Sequence, residues 1–468
     1  MAIHLSWNRR EVAIVAALLF LAFMVRFAFF SHQGFEKTDT TDFRIWFQTA
    51  AEYGPRVFYN RTWCDYPPLN IYFFWIFGLL AKSLSLLGSN LFTYVMKLPP
   101  NLFDMATALL IFVFVRKRLS FKMALLATSL YAFNPAVVFN AAVWGQFDAI
   151  YAFFLVLSLF LFFESKPKLA VVAFMLGILT KPQSIALAPL FAFLIYWKYN
   201  WKGSLVSMLT EARKTVLNAP TMLRNRKGFP FSHAAVKKAA LTALSTSWNL
   251  KGFLVPLLVA VATVFAVILP FEWSNPVDFL GKIYFGAYST YGYTTVNAFN
   301  IWAFGGMWQP DTQPFLFLNL YVIGWIMFGA LAAFVLYFVH KRYSASPELL
   351  VLFAAFVLFF GFFMLPTRIH ERYLFPAMAV LALMFPFLKK MRLMYVVLAA
   401  TCFVNQAYVL PFLNAGTFIQ LGDPVVFTAS LINSLALLYV LMLMWSELRG
   451  KRWLTPDPSE TQETASGG

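Results

Sequence analysis

Charge and cysteine are both scarce in this chain. Only 12% of its 468 residues are charged, and acids are the rarer sign, 20 against 37 bases. Soluble domains carry about twice that charged fraction, so an ordinary water-soluble fold is excluded. The two cysteines, Cys64 and Cys402, lie far apart, and Cys402 sits inside an apolar run. They form no CxxC or Cys/His cluster, which excludes a disulfide framework and a cysteine-based zinc site. GxGxxG, P-loop, HExxH and GxSxG patterns are missing, and with them the usual signatures of dinucleotide, nucleoside-triphosphate, zinc-peptidase and serine-hydrolase chemistry. DTTD (Asp39 to Asp42) is too weak to specify a metal. No cofactor is indicated, and a divalent metal is neither required nor forbidden. The short alternating segments of a β-barrel are absent as well.

Apolar sequence fills the space, at 60% of residues. Runs near the ~20 residues that cross a bilayer core fall at about 11–30, 99–115, 121–140, 149–163, 168–180, 184–197, 252–270, 315–338, 348–365, 374–388, 393–411 and 425–446. The first lacks the small-residue cleavage site of a signal peptide and reads as a retained span. The sequence therefore predicts an all-α polytopic membrane protein with about twelve transmembrane helices. A further apolar stretch, 69–88, is ambiguous. The positive-inside rule decides it. With Arg9 and Arg10 inside and 69–88 not crossing, RKRLSFK, ESKPK, HKRYSASPE, KKMR and ELRGKRW all fall in the cytoplasm. If 69–88 crossed once, all would lie outside.

This assignment gives one transmembrane unit over 1–447. It has a long external first loop at about 31–98, a basic cytoplasmic loop at about 198–251 and an aromatic external loop at about 271–314. Residues 448–468 read as a disordered cytoplasmic tail. The net charge of +17 is the sum of topology signals in short loops, with the basic loop lying against anionic lipid. Nucleic acid is not an expected partner; the bilayer is. The location is a plasma membrane in a prokaryote or the endoplasmic reticulum in a eukaryote.

Polar residues gather on the external side. The first loop carries Asp39, Asp42 and Asp65. Asp42 opens DFRIWFQTAAEYG and reads either as a helix cap or as a general base. Asp65 precedes two prolines and suits a helix start. In WGQFD, Gln146 and Asp148 follow the helix-breaking Asn134-Pro135. They suit sugar hydroxyls, although Asp148 could simply cap the next helix. Lys181 is the only base in its turn and suits either a snorkelling interface side chain or a phosphate contact. TRIHERY packs Arg368, His370, Glu371 and Arg372 beside the membrane. There Glu371 is placed to pair with and orient its basic neighbours. The aromatic loop is dense in Tyr and Trp, which mark interfaces and also stack on sugar rings. An enzyme on this face has no cytosolic nucleotide sugar, so it needs a donor carried in the membrane. Lys181, Arg368, His370 and Arg372 stand at the level of such a donor's phosphate.

Taken in order, these motifs resemble the GT-C membrane glycosyltransferases. They are most similar to the dolichyl-phosphate-glucose-dependent glucosyltransferases and to bacterial and archaeal mannosyltransferase-like relatives. The match rests on the Asp42-Phe element with DYPPL (Asp65 to Leu69), NP…WGQFD (134–148), Lys181 and IHERYLFP (369–376), over about residues 10–390. The resemblance implies a GT-C fold, an external or lumenal active site, a polyprenyl-phosphate hexose donor, a glycan or lipid-linked acceptor and inversion at the anomeric carbon. It implies Asp42 as base and His370 at the donor phosphate. Asp39, Asp65, Gln146, Asp148 and Glu371 are left to bind or orient sugar and acceptor. Gln146 stands where the family often has His, and HER replaces HEK, departures that bear on sugar and acceptor. A lipid-linked sugar flippase and an inactive scaffold of the same fold are the competing readings. The topology predicts that single cysteines at positions 42 and 117 react with an impermeant thiol reagent from opposite sides of the membrane. Labelling of both from one side would overturn it.

Overall fold

A computed structural model describes residues 8–200, 250–343 and 347–454. The chain divides into two compact units, Met1–Leu190 with Thr263–Gly468, and Phe191–Ala262. The central part of the basic loop, 201–249, lies outside the described residues, as do 455–468. In the smaller unit, Phe193 packs on Trp197 with ring centroids 5.1 Å apart.

The described chain is helical apart from one two-stranded hairpin. Its principal helices are α1 (Arg9–Phe27), α2 (Thr41–Tyr53), α3 (Pro68–Ser83), α4 (Phe92–Arg116), α5 (Phe121–Ala132), α6 (Asp148–Phe163), α7 (Pro167–Thr180), α8 (Ala188–Asn200), α9 (Leu250–Ile268) and α10 (Pro276–Ser289). The hairpin β1 (Pro314–Phe315) and β2 (Leu318–Asn319) follows. After it come α11 (Leu320–Arg342), α12 (Pro347–Met364), α13 (Phe375–Met384), α14 (Lys389–Ala415) and α15 (Pro424–Leu448). Most predicted apolar runs fall on one of these helices; 121–140 is split at Asn134-Pro135, 184–197 begins in a 3-10 turn, and 315–338 begins in the hairpin. Five of the helices, α4, α11, α12, α14 and α15, are long and apolar enough to cross a membrane, and α5 with Pro135–Trp144 makes a sixth if that pair is one span. The architecture is that of an all-α integral membrane protein.

The boundaries differ from expectation where proline misleads. α4 starts at Phe92, ahead of the expected run at 99–115, so Pro99 and Pro100 lie inside it. Asn134-Pro135 does break its helix, with a 44° bend, and the Asn134 side chain caps the new start at Ala136 N, 2.9 Å. The first loop is itself mostly helical, with α2 packed on α3. The tail expected to be disordered from 448 is docked up to 454. Trp453 donates to Leu443 O at 3.0 Å, and its ring meets Phe353 edge-on at 5.0 Å.

Burial explains the order of layers. A helix apolar all round belongs in the interior. α12 is buried at every position from Leu349 to Met364, and α13 is buried throughout. Around them, α11, α14 and α15 turn Ile326, Leu393, Val396, Leu435, Leu438 and Met442 outward, all more than half exposed. Large exposed apolar side chains in such number suit lipid as their contact.

Charge is segregated to the helix ends. Glu164 at the end of α6 pairs with Lys117 at 2.7 Å, and Glu348 at the start of α12 takes Arg118 through two bonds of 2.5 and 2.7 Å. Arg116 meets Glu11 at 3.1 Å, and Arg342 pairs with Glu447. The opposite ends of α6 and α12 carry Asp148 and, just beyond Met364, the TRIHERY segment. With 16 and 18 residues at ~1.5 Å each, the two charged layers stand about 24–27 Å apart, close to a ~30 Å hydrocarbon core.

One charge pair lies between these layers. Arg26 and Asp104 are both fully buried, Nε to Oδ2 3.6 Å, and Tyr131 OH donates to Asp104 at 2.8 Å. Removing one partner of such a pair costs about 3–5 kcal/mol, because it strands the other. Arg26→Met should therefore lower the melting temperature in detergent strongly. Arg26→Met with Asp104→Leu should recover much of the loss. Equal damage from the single and double changes would show that packing, not charge, is at stake.

Candidate functional site

Most of the site residues expected from sequence converge on one cavity of about 450 Å³. Asp39, Asp42, Asp65, Gln146, Lys181, Arg368, His370 and Arg372 all line it. Asp148 and Glu371 do not. They are buried behind the wall and hold its basic residues in place. Trp46, Tyr284, Tyr288, Tyr291, Tyr321 and Trp325 supply an aromatic lining.

The three site aspartates near helix starts are not caps. Asp42 lies in the first turn of α2, whose N-cap is Thr40, and no side chain caps that helix. The opposite end of α2 stops as expected at Gly54, where φ is +76°. Asp65 precedes α3, but the N-cap is Pro67 and again no side chain caps. Asp148 opens α6 behind Phe147 and instead accepts from Lys181 Nζ at 2.7 Å and Asn140 Nδ2 at 3.1 Å. Lys181 is accordingly no snorkelling side chain. It is buried, with its ammonium 5.2 Å from the Tyr66 ring centre.

Each basic residue of the wall has its own acid. Lys181 takes Asp148; Arg372 takes Glu371, with Asp148 a further 3.7 Å from its Nε. Arg368 grips Asp311 through Nε at 2.7 Å and Nη2 at 3.3 Å, and lies 4.6 and 4.7 Å from the Tyr288 and Tyr321 ring centres. The sequence reading missed Asp311. Its one available signal was that it is the sole acid between Asp278 and Glu348.

The three remaining acids differ in their commitments. Asp39 accepts from Trp144 Nε1 at 2.8 Å and from Gln146 Nε2, and Tyr66 OH donates to the same Gln146 at 3.1 Å. Asp42 has no hydrogen-bond or ion-pair partner among the described residues, and burial together with Asp39 raises its carboxyl above the ordinary value. Asp65 has one buried carboxylate oxygen without a partner. Burial and then Asp39 push it up to about 6. His370 is held neutral. Burial, then Arg372 and Lys181, push its imidazole well below the usual range. Its ring stands edge-on to Tyr291 at 4.8 Å.

The chain matches no protein-family model and no curated protein sequence. Its chemistry has therefore to be read from the cavity itself. A partly desolvated carboxylate, neutral and cationic N–H donors and aromatic rings together suit a polar, ring-shaped molecule that carries an anionic group.

The raised Asp65 carboxyl has a signed consequence for stability. With an ordinary value of 3.8 and a folded value of about 6, the folded state binds the extra proton, so stability falls as pH rises from about 4 to about 6. Asp65→Asn should flatten that part of the stability profile. An unchanged slope in thermal melts across this window would place the titration elsewhere.

Proposed function

We propose that the chain is a membrane glycosyltransferase that moves a hexose, mannose or glucose, from a polyprenyl-phosphate donor to a lipid-linked glycan, glycolipid or other acceptor. In this reading the twelve apolar runs span the membrane, α3 lies on the outer surface, and the cavity opens to the external or lumenal face. The separation of the cavity from the paired basic residues by about one hydrocarbon thickness supports that sidedness. The motif order noted in the sequence supports a GT-C-like fold.

The observation that carries the reading is one cavity holding an uncommitted carboxylate, Asp42, together with Lys181, Arg372 and His370. Asp42 takes the proton of the acceptor hydroxyl as that oxygen attacks the anomeric carbon. The new C1–O bond forms as the bond from C1 to the phosphate oxygen breaks on the opposite side, which inverts the centre. The electron pair leaves with polyprenyl phosphate. The wall cations are already balanced by acids, so the phosphate is met by directed N–H donors more than by surplus charge. Such fixed donors stabilise developing charge without reorganising. Asp39, committed to Trp144 and Gln146, orients the Gln146 element; the aromatic rings stack on the sugar.

Asp42→Asn should abolish transfer while the protein still binds donor, because the amide keeps the shape but takes no proton. Asp39→Asn should be milder. The reverse ranking, measured as polyprenyl phosphate released from a panel of polyprenyl-phosphate sugars, would move the base to Asp39.

His370→Ala and Lys181→Ala each remove a charge-assisted hydrogen bond worth ~1.5–3 kcal/mol, about tenfold to a hundredfold in donor use. Normal donor titrations in both variants, with melting temperatures measured on the same preparations, would reject the phosphate role.

A further inference from the structure

The β1–β2 hairpin carries a feature that the cavity does not explain. Its strands pair Phe315 with Leu318 and Pro314 with Asn319, leaving Leu316 and Phe317 as a two-residue turn. Such turns are normally built from Gly, Asn or Asp. Here Leu316 takes the left-handed conformation, φ +58°, in which a side chain is strained. The strain serves no internal packing. Phe315, Leu316 and Phe317 are 60%, 83% and 86% exposed.

The hairpin runs directly into α11, a helix long and apolar enough to span the membrane, whose N-cap is Asn319. Asn319 lies three residue steps beyond Leu316, at most ~10 Å of extended chain. The layer between hydrocarbon and water is of similar depth, about 5–8 Å per leaflet. No Asp, Glu, Lys or Arg occurs between Asp311 and Lys341, so no charge draws the tip into water. Asp311 itself is buried and paired with Arg368.

We propose that the Phe315–Phe317 tip is inserted into the lipid leaflet from which α11 starts, as a wedge at the acyl–headgroup boundary. The occupant of this apolar tip is bilayer lipid. Moving Phe, Leu and Phe out of water is favourable for each side chain buried, and three such side chains outweigh one strained residue. Insertion also fixes the hairpin base. There Tyr321 N donates to Asp311 O at 3.0 Å and Asp311 holds Arg368 on the cavity wall.

The test uses the full chain in nanodiscs holding one copy each. Cys64 and Cys402 are buried and free, so Phe317→Cys can be labelled selectively with a nitrobenzoxadiazole fluorophore. The expected result is blue-shifted emission, quenched several-fold more by lipids with acyl-chain nitroxides than by aqueous iodide. The same label at Glu52→Cys, an exposed site on α2, should show the opposite preference. Adding Leu316→Asp should cut the acyl-chain quenching several-fold. Iodide quenching at 317 as strong as at 52 would overturn the proposal. So would shielding that appears only when two copies share a disc, which would mean that a second copy covers the tip.

Discussion

Most buried charges among the described residues are paired with an opposite charge, and that pairing organises the fold. An uncompensated ion at low dielectric costs several kcal/mol, comparable to a substantial share of a domain's net stability. Arg26 meets Asp104, Lys181 meets Asp148, Arg368 meets Asp311 and Arg372 meets Glu371. Three of these pairs join segments far apart in sequence. Each therefore fixes the relative position of two elements that apolar packing alone, being non-directional, would let slide.

That matching shapes the chemistry the cavity can offer. Lys181 and Arg372 are held by acids behind them, so their remaining donors point from fixed positions instead of swinging on long flexible stems. A site built this way selects by hydrogen-bond geometry more than by net charge. It also separates the acids into those committed to a partner and those, Asp42 and Asp65, without a side-chain partner among the described residues. Asp148, Glu371 and Asp311 are committed to cations and Asp39 to Trp144 and Gln146, while Asp42 keeps its lone pairs free for a proton.

The helices were legible in the sequence because lipid contact and core contact both demand apolar side chains, so most long apolar runs are helical whichever way they face. The site was legible as a set of polar residues at one set of helix ends. Their individual roles were not. Asp42, Asp65 and Asp148 each stand at or near a helix start, where aspartate as a cap and aspartate as a ligand look the same. What separates them is a partner, and partners such as Lys181 for Asp148 are known only once the chain is folded. Asp311 escaped for the same reason. A lone acid in an aromatic loop becomes meaningful only when Arg368 is found against it.

Lys97 carries this logic one step further, because it is buried without any acid. It was left outside the expected span 99–115 and lies inside α4, 3% exposed. Its ammonium is surrounded by carbonyls instead, those of Phe29, His32, Ala142 and Val143 at 3.3, 2.5, 2.6 and 3.1 Å. Ala142 and Val143 belong to the last turn of a π-helix, Phe139–Trp144, where carbonyls lack helical donors and carry partial negative charge. The cation satisfies those groups and clasps the first loop to them. Gly34 closes the junction: a Cβ there would fall 2.1 Å from the Trp144 carbonyl oxygen, so no side chain fits between loop and turn. The next side chains along, Trp144 and Gln146, are the two that hold Asp39. The placement of the acidic wall therefore descends from a single lysine inside a membrane helix, through backbone carbonyls that carry no sequence signal of their own.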